Sequence, residues 1–183
     1  MIKKRSIYLL GLVTLLIFPL PTFFGLYFIE GISPWEILQL DRLHVGELGL
    51  GIVVGLLYAW LSLALMTAPV FKSLPTRVEH VVKSMNLNLW DCIFLSICAG
   101  VGEELLFRSG VQFYLGPIIT SVLFVAIHGY LNPLKWRMSL YGLIVLPFIL
   151  LISYGYYEFG LWFSIGAHFS YDLLLFRIMT EKD

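Results

Sequence analysis

Three charged residues fall where hydrocarbon is expected: Glu103, Glu104 and Arg108 of the stretch Glu-Glu-Leu-Leu-Phe-Arg lie inside the apolar segment from Leu95 to Leu115. Two further apolar segments carry His128 near the end of one, and His168 with Asp172 in the other. An ionisable group at the bilayer centre costs about 2.5–3.5 kcal/mol on insertion scales, so such groups are rare and mark function by default. Carboxylates beside imidazoles are the side chains that accept and return protons. Apolar surroundings favour the neutral form of a carboxyl, which suits a general acid or base near neutral pH.

The spacing divides the roles. Glu104 and Arg108 stand one helical turn apart in the acid-first order that favours pairing, so Glu104 is expected to neutralise the arginine. Glu103 projects about 100° away on the helix, on the general face of Ser96, Gly100 and Phe107, and stays free for chemistry. Phe124 and His128 share a face at the same four-residue spacing. In His168-x-x-x-Asp172, the aspartate is placed to hold the ring in one tautomer or as a cation. Glu103, His128, His168 and Asp172 also make a plausible ligand set for a divalent metal such as zinc, although no His-Glu-x-x-His stretch is present. The same residues admit a structural reading, as an ion-pair network with two packing histidines.

The elements that must position these groups are membrane helices. The 183 residues are 59% hydrophobic and 13% charged, with mean hydropathy +0.87. A soluble domain of this length cannot bury so much apolar surface, whereas a bilayer solvates it. The expected fold is an all-α bundle of about six transmembrane helices, near 7–28, 48–70, 94–115, 117–132, 138–156 and 159–177. It forms one domain over 1–183, with two N-terminal spans over 7–70 and a four-helix catalytic core over 92–178. Zero net charge gives no global field for nucleic acid. Lys3-Lys4-Arg5 precedes the first apolar run as in a signal peptide, but no Ala-x-Ala site follows, so the run is expected to remain as a helix, kinked by Pro19 and Pro21. A short surface helix is expected after Pro75. Cys92 and Cys98 read as buried apolar thiols, and His44 and His80 as solvated loop residues.

Positive charge supports this topology. With the N-terminus inside, Lys3, Lys4, Arg5, Lys72, Arg77, Lys83, Lys135, Arg137, Arg177 and Lys182 fall on the cytoplasmic side, and Arg42 alone falls outside. Both termini are then cytoplasmic. Counting roughly 1.5 Å per residue from the span ends places Glu103, His128, His168 and Asp172 all in the cytoplasmic half of the bilayer. Short loops and small size point to a prokaryotic cell membrane.

The three motifs together resemble the CAAX protease and bacteriocin-processing (ABI) family of glutamic-type intramembrane endopeptidases. That family's pattern is Glu-Glu-x-x-x-Arg, then Phe-x-x-x-His, then His-x-x-x-Asn or Asp on successive core helices. The resemblance covers roughly residues 92–178. It implies that Glu103 with His128 activates water, that Glu104 orients the site through Arg108, and that His168 and Asp172 stabilise the oxyanion of a peptide carbonyl. The implied substrate is a membrane-anchored or lipidated peptide, hydrolysed without a cofactor or with a divalent metal. Asp172 departs from the commoner asparagine, since an ionised carboxylate cannot donate to an oxyanion. Two competing readings stay open: a non-catalytic scaffold or immunity protein of the same fold, and a proton- or metal-coupled transporter.

Overall fold

A straight helix from Leu89 to Ile127 would hold Glu103 and His128 about 37 Å apart, at 1.5 Å per residue. In the computed structural model of the protein the two side chains are 3.5 Å apart. The chain doubles back at Gly116, whose φ of 72° and ψ of 172° lie in a region open essentially to glycine alone. Pro117 then starts the return limb. The structure describes residues 3–69, 82–131 and 136–180, except the side chains of 136–138. The segment following Pro75, and His80, lie outside the described residues.

Eight α-helices are found and no strand among the described residues. They are α1 (Lys4–Leu16), α2 (Leu20–Phe24), α3 (Pro34–Ile37), α4 (Val45–Met66), α5 (Leu89–Glu104), α6 (Gln112–Ile127), α7 (Trp136–Phe159) and α8 (Leu161–Thr180). π-helical turns follow α2 at Gly25–Ile29 and join α5 to α6 at Leu105–Val111. Pro19 and Pro21 do break the first helix: α1 stops at Leu16 and α2 restarts beside them.

Four stretches are long and apolar enough to cross a bilayer: Lys4–Ile29, Val45–Met66, Leu89–Ile127 and Ser139–Phe159. All six expected spans nevertheless have counterparts among the helices. The expected spans 94–115 and 117–132 are limbs of one stretch, folded at Gly116. The last expected span is α8, whose His168, Asp172 and Arg177 lower its hydropathy. Yet α8 is the most interior helix, with Leu161 and the whole run from Phe163 to His168 buried. His168 is buried in protein and Asp172 half-buried, so hydropathy alone undercounts the helix.

Close packing against α8 follows from small residues. Gly51, Gly55, Ala59 and Ser62 form the buried stripe of α4. A Cβ at Gly51 would come within 2.1 Å of the Phe163 carbonyl oxygen, and one at Gly55 within 2.1 Å of that of Ala167. Ser170 adds a hydrogen bond from its hydroxyl to the Ile52 carbonyl, 3.0 Å. Bilayer helices have no hydrophobic drive to associate, so small residues that let backbones meet supply the attraction.

Two polar clasps set the ends. At one, Lys4 pairs with Asp91 at 2.6 Å, and Asp91 closes a capping box with Asn88 at the start of α5. At the other, Gln39 adopts a left-handed φ of 46°. Its amide donates to the Tyr156 hydroxyl at 2.9 Å and accepts from the Leu161 N–H at 2.8 Å, while its carbonyl takes the Trp162 indole N–H at 3.1 Å. Cys92 and Cys98 are buried free thiols, and His44 is an exposed residue at the start of α4.

Gly55→Leu is expected to destabilise the protein by about 3 kcal/mol, as overpacking forces α4 off α8. Gly46→Leu, whose Cβ meets nothing within 4 Å, should stay within about 0.5 kcal/mol. Denaturant unfolding in mild detergent, followed by circular dichroism, compares the two.

Candidate active site

Glu104 is wholly buried, and each of its oxygens has a charged or chargeable partner. Oε2 accepts from Arg108 Nε at 2.8 Å. Oε1 lies 2.7 Å from His168 Nδ1 on α8, so that nitrogen carries the proton and donates. The sequence reserves Glu104 for Arg108 and gives the His168 ring to Asp172. The structure places Glu104 between the two, and Asp172 Oδ2 stands 3.5 Å from His168 Nε2, a looser contact on the opposite side of the ring. Only the meeting of α5 with α8 creates this bridge, and no spacing within one helix signals it.

Glu103 turns to the neighbouring space. Its carboxylate reaches 3.5 Å from His128 Nε2. The other ring nitrogen, Nδ1, donates to the Phe124 carbonyl at 2.7 Å, which leaves Nε2 as the basic atom of the neutral ring. Phe124 stacks on His128 with ring centres 4.4 Å apart and meets His168 edge-on at 5.8 Å. The Arg108 guanidinium sits over the same phenyl ring, 5.6 Å from its centre, a cation–π contact favoured by the dry surroundings. Phe124 thereby joins both histidines to the arginine.

The widened turn at Leu105–Val111 supports this arrangement. It carries Arg108, and Thr22 of α2 donates its hydroxyl to the Leu105 carbonyl at 3.0 Å. A Cβ at Gly110 would strike the Thr22 hydroxyl at 2.1 Å, so α2 lies directly on the turn. On α5, a Cβ at Gly102 would approach the Thr14 carbonyl oxygen of α1 to 2.0 Å. The N-terminal helices therefore brace the glutamate-bearing helix. π turns of this kind occur frequently at functional sites.

A cavity of about 230 Å³ opens beside the carboxylates, and Glu103, His128, His168 and Asp172 all line it. Glu104 and Arg108 lie behind its wall. All four expected lining residues are thus brought to one space, and the two supporting ones to its back. Tyr130, Tyr141 and Tyr171 also line the cavity and have no counterpart in the motif reading. Their signal was available, as Tyr130 and Tyr171 flank His128 and Asp172 closely in sequence. The cavity continues past Leu175 and Met179 toward the end of α8.

A divalent metal held by Glu103, His128, His168 and Asp172 does not fit this arrangement. Among the described residues, no three or more His, Cys, Asp or Glu side chains gather as a ligand set.

Fold and site together define a helical membrane protein with a carboxylate–histidine cavity between its helices. Residues 85–174, just under half of the chain, match the family described as type II CAAX prenyl endopeptidase Rce1-like, so this segment is similar to that family of membrane endopeptidases. The matched segment contains every candidate site residue. Among curated proteins and among solved structures, none matches the chain.

Arg108→Leu would leave the Glu104 carboxylate buried without its cation, at an expected cost of about 3–5 kcal/mol. Arg108→Leu combined with Glu104→Leu is expected to cost less than the sum of the two single changes, since neither member of the Glu104–Arg108 pair is left buried without the other. Unfolding free energies of the three variants measure this coupling.

Proposed function

We propose that the protein is an intramembrane endopeptidase that hydrolyses a peptide bond of a membrane-anchored or lipidated substrate, with Glu103 and His128 activating water. The observation that carries this reading is the facing pair at 3.5 Å, Glu103 carboxylate and His128 Nε2, on the wall of a cavity that also exposes His168 and Asp172. Two acceptors at that separation leave space for one water about 2.8 Å from each. The water oxygen forms a bond to the scissile carbonyl carbon as its proton passes to Glu103. Glu103 or His128 then returns a proton to the amide nitrogen as the C–N bond breaks. Such positioned acid–base groups contribute roughly 10²–10⁴-fold in rate.

His168 Nε2 faces the cavity side of its ring. Protonated there, and with Nδ1–H tied to Glu104, the imidazolium would donate to the carbonyl oxygen as charge develops on it. Asp172 cannot donate when ionised, and its place 3.5 Å from Nε2 suits it to keep that proton on the ring. Preorganised donors of this kind lower a barrier by about 2.7–4 kcal/mol. Glu104 and Arg108 hold the ring and the helix in register.

The cavity wall beyond the polar groups is apolar and aromatic, which supports a substrate that arrives in or on the membrane. The arrangement of the bundle also supports an inward-facing site. Lys4 and Asp91 lie at one end, the end toward which α8 runs with Arg177, and cytoplasmic loops are enriched in such positive residues. Both termini would then face the cytoplasm of a prokaryotic cell. The four helices of 92–178 would be the catalytic core of one transmembrane domain.

Purified protein in nanodiscs, given a membrane-anchored lipidated peptide, is expected to cleave it. Glu103→Ala and His128→Ala should each reduce kcat by about 10²-fold or more. Equal rates in wild type and both variants would reject the proposal.

A further inference from the structure

Four buried polar atoms behind the cavity have no partner among the described residues: Arg108 Nη1 and Nη2, Gln112 Oε1 and Thr120 Oγ1. All three side chains are almost completely shielded from solvent, with Arg108 and Thr120 at 0% and Gln112 at 1% exposure. An unsatisfied buried group costs about 1–3 kcal/mol, so three such residues in one region call for a shared explanation.

The Gly116 reversal places them together. Arg108 and Gln112 lie eight and four residues before it, and Thr120 and Phe124 lie four and eight residues after it. Arg108 lies over Phe124 across the hairpin, and Gln112 and Thr120 stand one turn nearer the bend on the two limbs, with Gln112 and the neighbour of Thr120, Ser121, both bonded to Ser153. The far side is closed by polar groups that are satisfied. Gln112 Nε2 donates to the Ser153 carbonyl at 2.8 Å, and the Ser121 and Ser153 hydroxyls meet at 2.8 Å. The unpartnered atoms are chemically complementary to water: guanidinium N–H groups donate, the amide oxygen accepts, and the hydroxyl does either. A buried water typically makes about three hydrogen bonds to such groups.

We propose that Arg108, Gln112 and Thr120 form an internal water-binding site, and that Gln112 and Thr120 are positioning residues acting through it. Water bound there fixes the two terminal nitrogens of Arg108. The arginine Nε then holds the Glu104 carboxylate in the orientation that grips His168. Loosening the site lets the Glu104–His168 pair wander without touching the cavity wall. The kinetic part of this inference rests on the peptidase reading, whereas the geometric part does not.

The test uses the full chain in nanodiscs with Thr120→Val, Thr120→Ser and Gln112→Met, and has two readouts. ¹⁵N-histidine NMR, assigned with His44→Gln, His80→Gln and His128→Gln, follows the His168 ring directly. Cleavage kinetics of the lipidated peptide give kcat and KM. In wild type the His168 Nδ1–H resonance is expected to be single and protected from exchange. Thr120→Val and Gln112→Met should broaden it, speed its exchange about tenfold, and lower kcat about tenfold with KM within twofold. Thr120→Ser should restore both. An unchanged His168 resonance in Thr120→Val and Gln112→Met overturns the proposal, as does equal damage by Thr120→Ser, which would show a packing role. If Thr120→Val does not fold, Gln112→Met and Thr120→Ser decide it on the same criteria. Should wild type fail to cleave, the peptidase reading falls while the NMR result still judges the water site.

Discussion

The Glu104 carboxylate is the group on which the site is hung. It sits out of water, and removing a charge from water costs several kcal/mol unless good geometry repays it. Repayment comes from two directions, Arg108 on its own helix and His168 on α8. The contacts then form a closed circuit. Arg108 lies on the Phe124 ring, Phe124 stacks on His128, and His128 faces Glu103, the residue next to Glu104 in the chain. Two adjacent glutamates are thus linked twice, once by a peptide bond and once through the hairpin. Displacing any member strains the others, which is how a site between helices can hold its geometry to a fraction of an ångström.

That circuit closes only because helices approach one another closely. Glycines on α4 and α5 let backbone meet backbone where any side chain would collide. In a bilayer this approach supplies attraction as well as space. The first two spans look like generic apolar helices in sequence, yet they act as the brace: α1 against Gly102, α2 against the π turn, and α4 along the whole inner length of α8.

Much of the site was legible because membrane burial makes charge conspicuous. Glu103, Glu104, Arg108, His128, His168 and Asp172 stand out against apolar sequence, and the one-turn spacing of Glu104 and Arg108 gives their pairing directly. What spacing cannot give is contact between helices. The hold of Glu104 on His168 depends on how α5 meets α8, and the three cavity tyrosines depend on how α6, α7 and α8 turn toward one space. The fold class followed from hydropathy, and the last expected span, 159–177, falls on α8, although the residues that mark it lower its apolar score. The stripe Gly51-x-x-x-Gly55-x-x-x-Ala59 was visible in sequence and its meaning lay in a partner helix four spans away.

The π turn at Leu105–Val111 makes chain length itself part of the design. A π turn holds one more residue than the α-helix it replaces, and each residue of an α-helix turns the chain by about 100°. Losing one residue there would let an ordinary α-helix form with its ends nearly in place, but the Leu105 and Leu106 carbonyls that accept from Thr22 would be drawn back into the helix's own ladder and the hold of α2 on the turn would be lost. The stretch from Glu104 to Gly116 can therefore exchange side chains far more readily than it can gain or lose a position. Any lineage of this chain should show its insertions and deletions in the connections, such as Glu30 to Glu47, and a fixed count here.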